Sequence, residues 1–137
     1  VVGDVAVGLL DLDVPLDLKV YALPEPRKDF SFLKGTTAAV TGQNRRIFFH
    51  EIDRVSPTAI SFSHPKLAKH GWGKNLVKGD SGNPSFLISD DELVLIETHT
   101  SGGSGSGPFY GSPIIQEKLS VAITTLAPGY RFRLKSL

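Results

Sequence analysis

The run Gly79-Asp80-Ser81-Gly82-Asn83-Pro84 lies between a basic polar stretch and an apolar one, and its residue types suit acyl transfer. A serine set among glycines can turn its hydroxyl and its own backbone N–H toward one point in space. Serine is a weak nucleophile at its own pKa. It needs a base within hydrogen-bond reach, a third group to orient that base, and N–H donors aimed at the developing oxyanion. Gly79 and Ser81 would supply two such donors if the loop curls. The run is not the G-x-S-x-G elbow of the α/β-hydrolases, because Asn83 replaces the last glycine and no strand–turn–helix pattern surrounds it. An esterase of that fold is set aside.

The chain's histidines are His50, His64, His70 and His99. None has the H-E-x-x-H spacing of a helical zinc site, so no metal centre is expected. His50, His64 and His70 read most simply as surface or loop residues. With no cysteine in the chain, disulfides, a thiolate nucleophile and a cysteine metal site are all excluded. The Gly/Ser loop at 101–107 is not followed by the Lys-Ser/Thr of a phosphate-binding loop, and no cofactor is expected.

The elements that must position Ser81 are mostly strands. Val5, Val7 and Leu9-Leu10 form a β-type run that ends at the acidic, proline-containing segment 11–15. Leu16, Leu18, Val20 and Leu23 alternate before Pro24-Glu25-Pro26. Further strands are predicted at Thr36–Thr41, Arg46–Ile52 and Thr58–Phe62, then a loop over 63–80. Ser85–Ser89 and Glu92–Thr98 read as a hairpin across Asp90-Asp91. One helix is predicted, with Ser112 as N-cap, Pro113 at its first position, and Ile115, Leu119, Ala122, Ile123 and Leu126 on one face before Pro128-Gly129. Many short strands and one late helix argue for an all-β barrel or sandwich.

Composition bounds the partners. The chain has 137 residues, enough for one core, with 40% hydrophobic and 21% charged residues. A formal net charge of +1 makes no case for nucleic acid or a membrane surface. No apolar run reaches the ~20 residues of a spanning helix. A chain without methionine that begins Val1-Val2-Gly3 in mid-pattern reads as processed or as a piece.

The Gly79–Pro84 run resembles the GDSGxP nucleophile motif of the chymotrypsin-like serine proteases. Gly3-Asp4-Val5-Ala6-Val7 is similar to that family's strand carrying the triad aspartate. Val40-Thr41-Gly42 resembles the glycine corner of its second barrel, Thr98–Gly103 its substrate-binding strand, and Pro113–Leu126 its closing helix. The resemblance implies an all-β fold: the second chymotrypsin-like β-barrel over 24–127, a remnant of the first barrel over 1–23, and the C-terminal helix, followed by a tail at 128–137 whose own alternation over Tyr130–Leu137 reads either as an edge strand or as the lead into a further domain. It implies a serine endopeptidase in which Ser81 is the nucleophile, Gly79 and Ser81 form the oxyanion hole, and Asp4 orients the base, with Asp11 and Asp13 as weaker competitors. Asp80 would hold the loop in shape.

Substrate contacts implied by the resemblance fall on Asn75, Thr98, His99 and Thr100, with a peptide or protein as substrate. Asn75, six residues before Ser81, is neutral, which argues against selection of basic side chains. His99 fits either a pocket histidine ahead of Gly102-Gly103 or a groove-wall position. The family's catalytic histidine precedes its aspartate, and here only Val1-Val2-Gly3 does so. An N-terminal segment bearing that histidine, on a separate or cleaved chain, is therefore the expected partner. Thr37-Ala38-Ala39 resembles the run before that histidine, but Val40 stands in its place. The alternative reading is a non-catalytic, protease-like binding or scaffold domain. Secretion or association with a virion would be compatible with either.

Overall fold

The computed structural model describes residues 4–65 and 71–137. Its strands are β1 (Leu23–Pro24), β2 (Thr37–Gly42), β3 (Arg46–Val55), β4 (Ala59–Phe62), β5 (Pro84–Ser89), β6 (Glu92–Thr98), β7 (Ser106–Pro108) and β8 (Leu134–Lys135), with one helix, α1 (Pro113–Leu126), before β8. Six strands make one antiparallel sheet in the order β6-β5-β2-β3-β4-β7, and β1 pairs with β8 in a small parallel contact. The chain is mainly β with one helix, as its alternation and its single helical run imply.

Turn chemistry sets the hairpins. Asn44 and Arg45 between β2 and β3, and Asp90 and Asp91 between β5 and β6, have positive φ. Such backbone matches the right-handed twist of the flanking strands, and Asn and Asp tolerate it better than most residues.

The large sheet rolls until its edge strands meet. Tyr110 N–H donates to Ile96 O and Thr100 N–H to Ser106 O. Gly107 permits this approach, because a side chain there would collide with Thr98 O and Glu97 Oε2. Inside the roll, Ala38, Val40, Phe48, Ile52, Ile60, Phe62, Leu76, Leu87, Ile96 and Phe109 form the main core. Outside it, Ile115 and Leu119 of α1 pack with Leu23 and Tyr110 in a second cluster that Val5 and Val7 join. Ser112 caps the helix by accepting from Ile115 N–H.

The sequence expectations need three corrections. Val5–Leu10 and Leu16–Leu23 are not strands; apart from the Ala22 bridge to Val94 and Leu23 at β1, this segment is irregular. Leu18 N–H turns back to Pro15 O, and alternation alone makes no strand where no neighbouring strand supplies a ladder. The expected loop at 101–107 contains the start of β7. His50 is fully buried rather than superficial, because it shares the inward face of β3 with Phe48 and Ile52. Its Nδ1 lies 2.9 Å from Ser104 O and its Nε2 2.8 Å from Lys74 O. His64 is exposed, and His70 lies outside the described residues.

Candidate functional site

The turn that carries Ser81 is built from a buried carboxylate outward. Asp80 is buried; its Oδ2 accepts Val77 N–H at 2.7 Å and its Oδ1 accepts Gln43 N–H at 2.8 Å. The Val77 hydrogen bond, helped by that from Gln43 and by the charges of His99 and Arg46, holds the carboxyl below its ordinary range against the opposing effect of burial. Gly79 and Gly82 have φ of +100° and +84°, a region that glycine enters without steric cost. Asp80 N–H donates to Val77 O, Asn83 N–H to Asp80 O, and Gly82 N–H to His99 O. Ser81 is left exposed on the turn. Among the described residues the N–H groups of Gly79 and Ser81 have no backbone acceptor, and no hydrogen bond joins the Ser81 hydroxyl to a histidine or carboxylate.

Behind the turn lies a polar chain that the sequence did not reveal. Ser85 Oγ donates to Glu97 Oε1 at 2.5 Å, and the same oxygen is 2.6 Å from His99 Nδ1, out of line for a hydrogen bond. His99 Nε2 lies 3.1 Å from Thr41 O. Ser85, Glu97 and His99 are all buried, so His99 faces the inside of the sheet rather than a groove. Glu97 points inward because the β5–β6 register shifts between Ser85 and Phe86, which buries the consecutive Ile96 and Glu97. Such a bulge re-aims a side chain in a way strict alternation cannot signal. Glu97 Oε2 has no hydrogen-bond partner among the described residues.

The remaining candidates separate. Thr98 Oγ1 and Tyr110 Oη share a 2.7 Å hydrogen bond. Burial raises the Tyr110 phenol above its ordinary range, with the Thr98 bond opposing and the Glu97 carboxylate adding to the shift. Asn75 is exposed just before Leu76. Asp4 and Thr100 come together, lining one cleft of about 600 Å³ with Thr58, Ala59, Ser106, Gly107 and Pro108. Asn75, Ser81 and His99 are not among the residues lining it. Asp11 and Asp13 are exposed on the irregular N-terminal segment. Among the described residues no cluster of three or more His, Cys, Asp or Glu could hold a metal ion, and no helix is long and apolar enough to cross a membrane.

Comparison with known proteins overturns the expected family. The chain is 33% identical over 99 residues to a probable cobalt-precorrin-6B C(15)-methyltransferase (decarboxylating) of Methanothermobacter thermautotrophicus. The match covers 71% of this chain and 44% of that protein, so the chain spans under half the length of its curated relative. That protein is named a methyltransferase, not a peptidase, and the assignments to the chymotrypsin-like family and to serine endopeptidase activity are corrected accordingly. Within the chain, His50 and His99 are both buried, whereas Ser81 is exposed on its turn. No family model matches the chain. No solved structure matches it either.

Proposed function

We propose that this chain is a binding domain whose cleft receives a basic group, in the form of a lysine or arginine side chain of a peptide. The observation that carries this reading is that Asp4, Thr100, Ser106 and Gly107 line one cleft of about 600 Å³. That size suits a ligand group, and a few converging polar groups are what fix a ligand's orientation. Asp4 supplies the charge. Thr100 Oγ1 donates to Ser106 O, and Ser106 Oγ shares a 2.6 Å bond with Ser101 Oγ, so both hydroxyls are held while keeping lone pairs for an ammonium or guanidinium. An exposed ion pair by itself contributes only about 0–1 kcal/mol, so the hydroxyls and the walls of the cleft must supply the remainder. Calorimetric titration with end-blocked peptides that differ only in arginine, lysine or glutamine at one position tests this. Binding of the basic peptides over the glutamine peptide supports the reading, and equal or absent binding overturns it.

The similarity to the methyltransferase favours a second reading, methyl transfer. Nucleoside-bearing donors such as S-adenosylmethionine are commonly cradled where a glycine-rich turn joins a parallel strand to a helix N-terminus. Among the described residues, parallel pairing is confined to β1–β8 and the Ala22–Val94 bridge. The glycine turn at 79–82 leads into β5, and the N-terminus of α1 is already capped by Ser112. The residues present do not fit such a donor, and no step is derived through it. Equilibrium dialysis with labelled S-adenosylmethionine separates the two readings, since retention of the donor would favour methyl transfer.

A further inference from the structure

We infer that the N-terminal strap, residues 9–20, is an association surface for a second copy of this chain, which covers it with its C-terminal tail. Leu9, Leu10, Leu12, Leu16, Leu18 and Val20 are all exposed, Leu12 at 82% and Leu16 at 106%. Single exposed leucines are ordinary, but a contiguous run of them marks an interaction surface. The strap lies in no sheet, so it also offers backbone donors and acceptors to an added strand. Val7, Leu9, Leu10, Leu12 and Val14 border a groove of about 420 Å³ closed by Ile123, Leu126 and Tyr130, wide enough to take apolar side chains.

Charge selects the occupant. Residues 9–20 contain Asp11, Asp13 and Asp17 against Lys19 alone, whereas residues 130–137 contain Arg131, Arg133 and Lys135 and no acid. Strap against strap would set like charges together. Strap against tail sets leucines and aspartates against the exposed Tyr130, Arg131 and Leu134, while Phe132 packs inward on the second cluster of its own chain. Arg133 is paired with Glu92, and Lys135 with Asp90 at 2.9 Å, which fixes the tail's course along β1. Arg131 donates to the adjacent Tyr130 carbonyl and stays exposed, as does Tyr130. In a two-fold dimer each copy would present both strap and tail, so every strap–tail contact occurs twice.

Sedimentation equilibrium across a wide concentration series tests this. A dimer is expected. Arg131→Glu should weaken it by about tenfold or more, and adding Asp11→Lys and Asp13→Lys to that variant should restore it. Leu12→Asp should weaken it without changing the circular dichroism spectrum of the monomer. A monomer at every concentration overturns the proposal. So does a dimer indifferent to Arg131→Glu, or one whose cross-links avoid the strap. Binding of the strap to an unrelated chain or an apolar dye by a protein that stays monomeric would assign the surface to another occupant and overturn it equally.

Discussion

Glu97 and His99 face each other across 2.6 Å inside the sheet, both buried, two residues apart on one chain. Residues that far apart in a regular strand share one face, and Ser85 and Thr41 O complete their surroundings. The pair sits directly behind the Ser81 turn, since Gly82 N–H is bound by the carbonyl of His99 itself.

Removing one partner of such a pair leaves the other buried without compensation. Glu97→Ala removes the carboxylate that Ser85 Oγ and His99 Nδ1 both face and is expected to destabilise the domain more than Ser85→Ala, read from the midpoint of urea denaturation. Ser85→Ala removes a single hydrogen bond and should cost only about 1–3 kcal/mol.

Asp80 should make stability acid-sensitive. Its pKa is lowered in the folded chain, chiefly by the Val77 hydrogen bond. Its contribution is therefore fully present above the unfolded carboxylate's pKa of about 3.9 and is lost as pH falls through the folded value. Asp80→Asn should flatten the acid limb of a stability–pH profile. An acid limb identical to that of the parent would show that Asp80 does not couple to folding.

Tyr110 shifts in the opposite direction. Burial raises its pKa, so its share of stability holds below the unfolded phenol's value of about 10 and disappears as pH rises through the folded one. Absorbance titration should show a phenol ionising above the ordinary range, with that late phase absent in Tyr110→Phe.

At Gly107 even one methyl group meets Thr98 O and Glu97 Oε2. Gly107→Ala is expected to cost on the order of 3 kcal/mol or more through forced backbone movement, measured by thermal unfolding. A neutral effect would mean that the closure between β6 and β7 is slack.

The sheet and the helix were legible because their patterns are local. Alternation over 37–62, the Asp90-Asp91 turn and the Ser112-Pro113 start each carry their own signal. His50 was readable in principle from its parity with Phe48 and Ile52. Glu97 was not, because a bulge takes it out of parity and its partners come from β5 and the end of β2. Leu16, Leu18 and Val20 misled for the converse reason: they have the period of a strand without the neighbour that makes one. The Ser81 motif located a constrained turn correctly, since Gly79, Gly82 and Asp80 are all used to build it. It did not determine what the turn is for, because a hydroxyl becomes a nucleophile only through partners that a local run cannot contain.

The cleft is tested most directly by amide chemical shifts of the labelled protein titrated with an end-blocked arginine peptide. The account predicts saturable shifts at Thr100, Ser106 and Gly107, and about fivefold weaker binding in Asp4→Asn. Shifts that avoid these residues, or binding that is unchanged in Asp4→Asn, would contradict it.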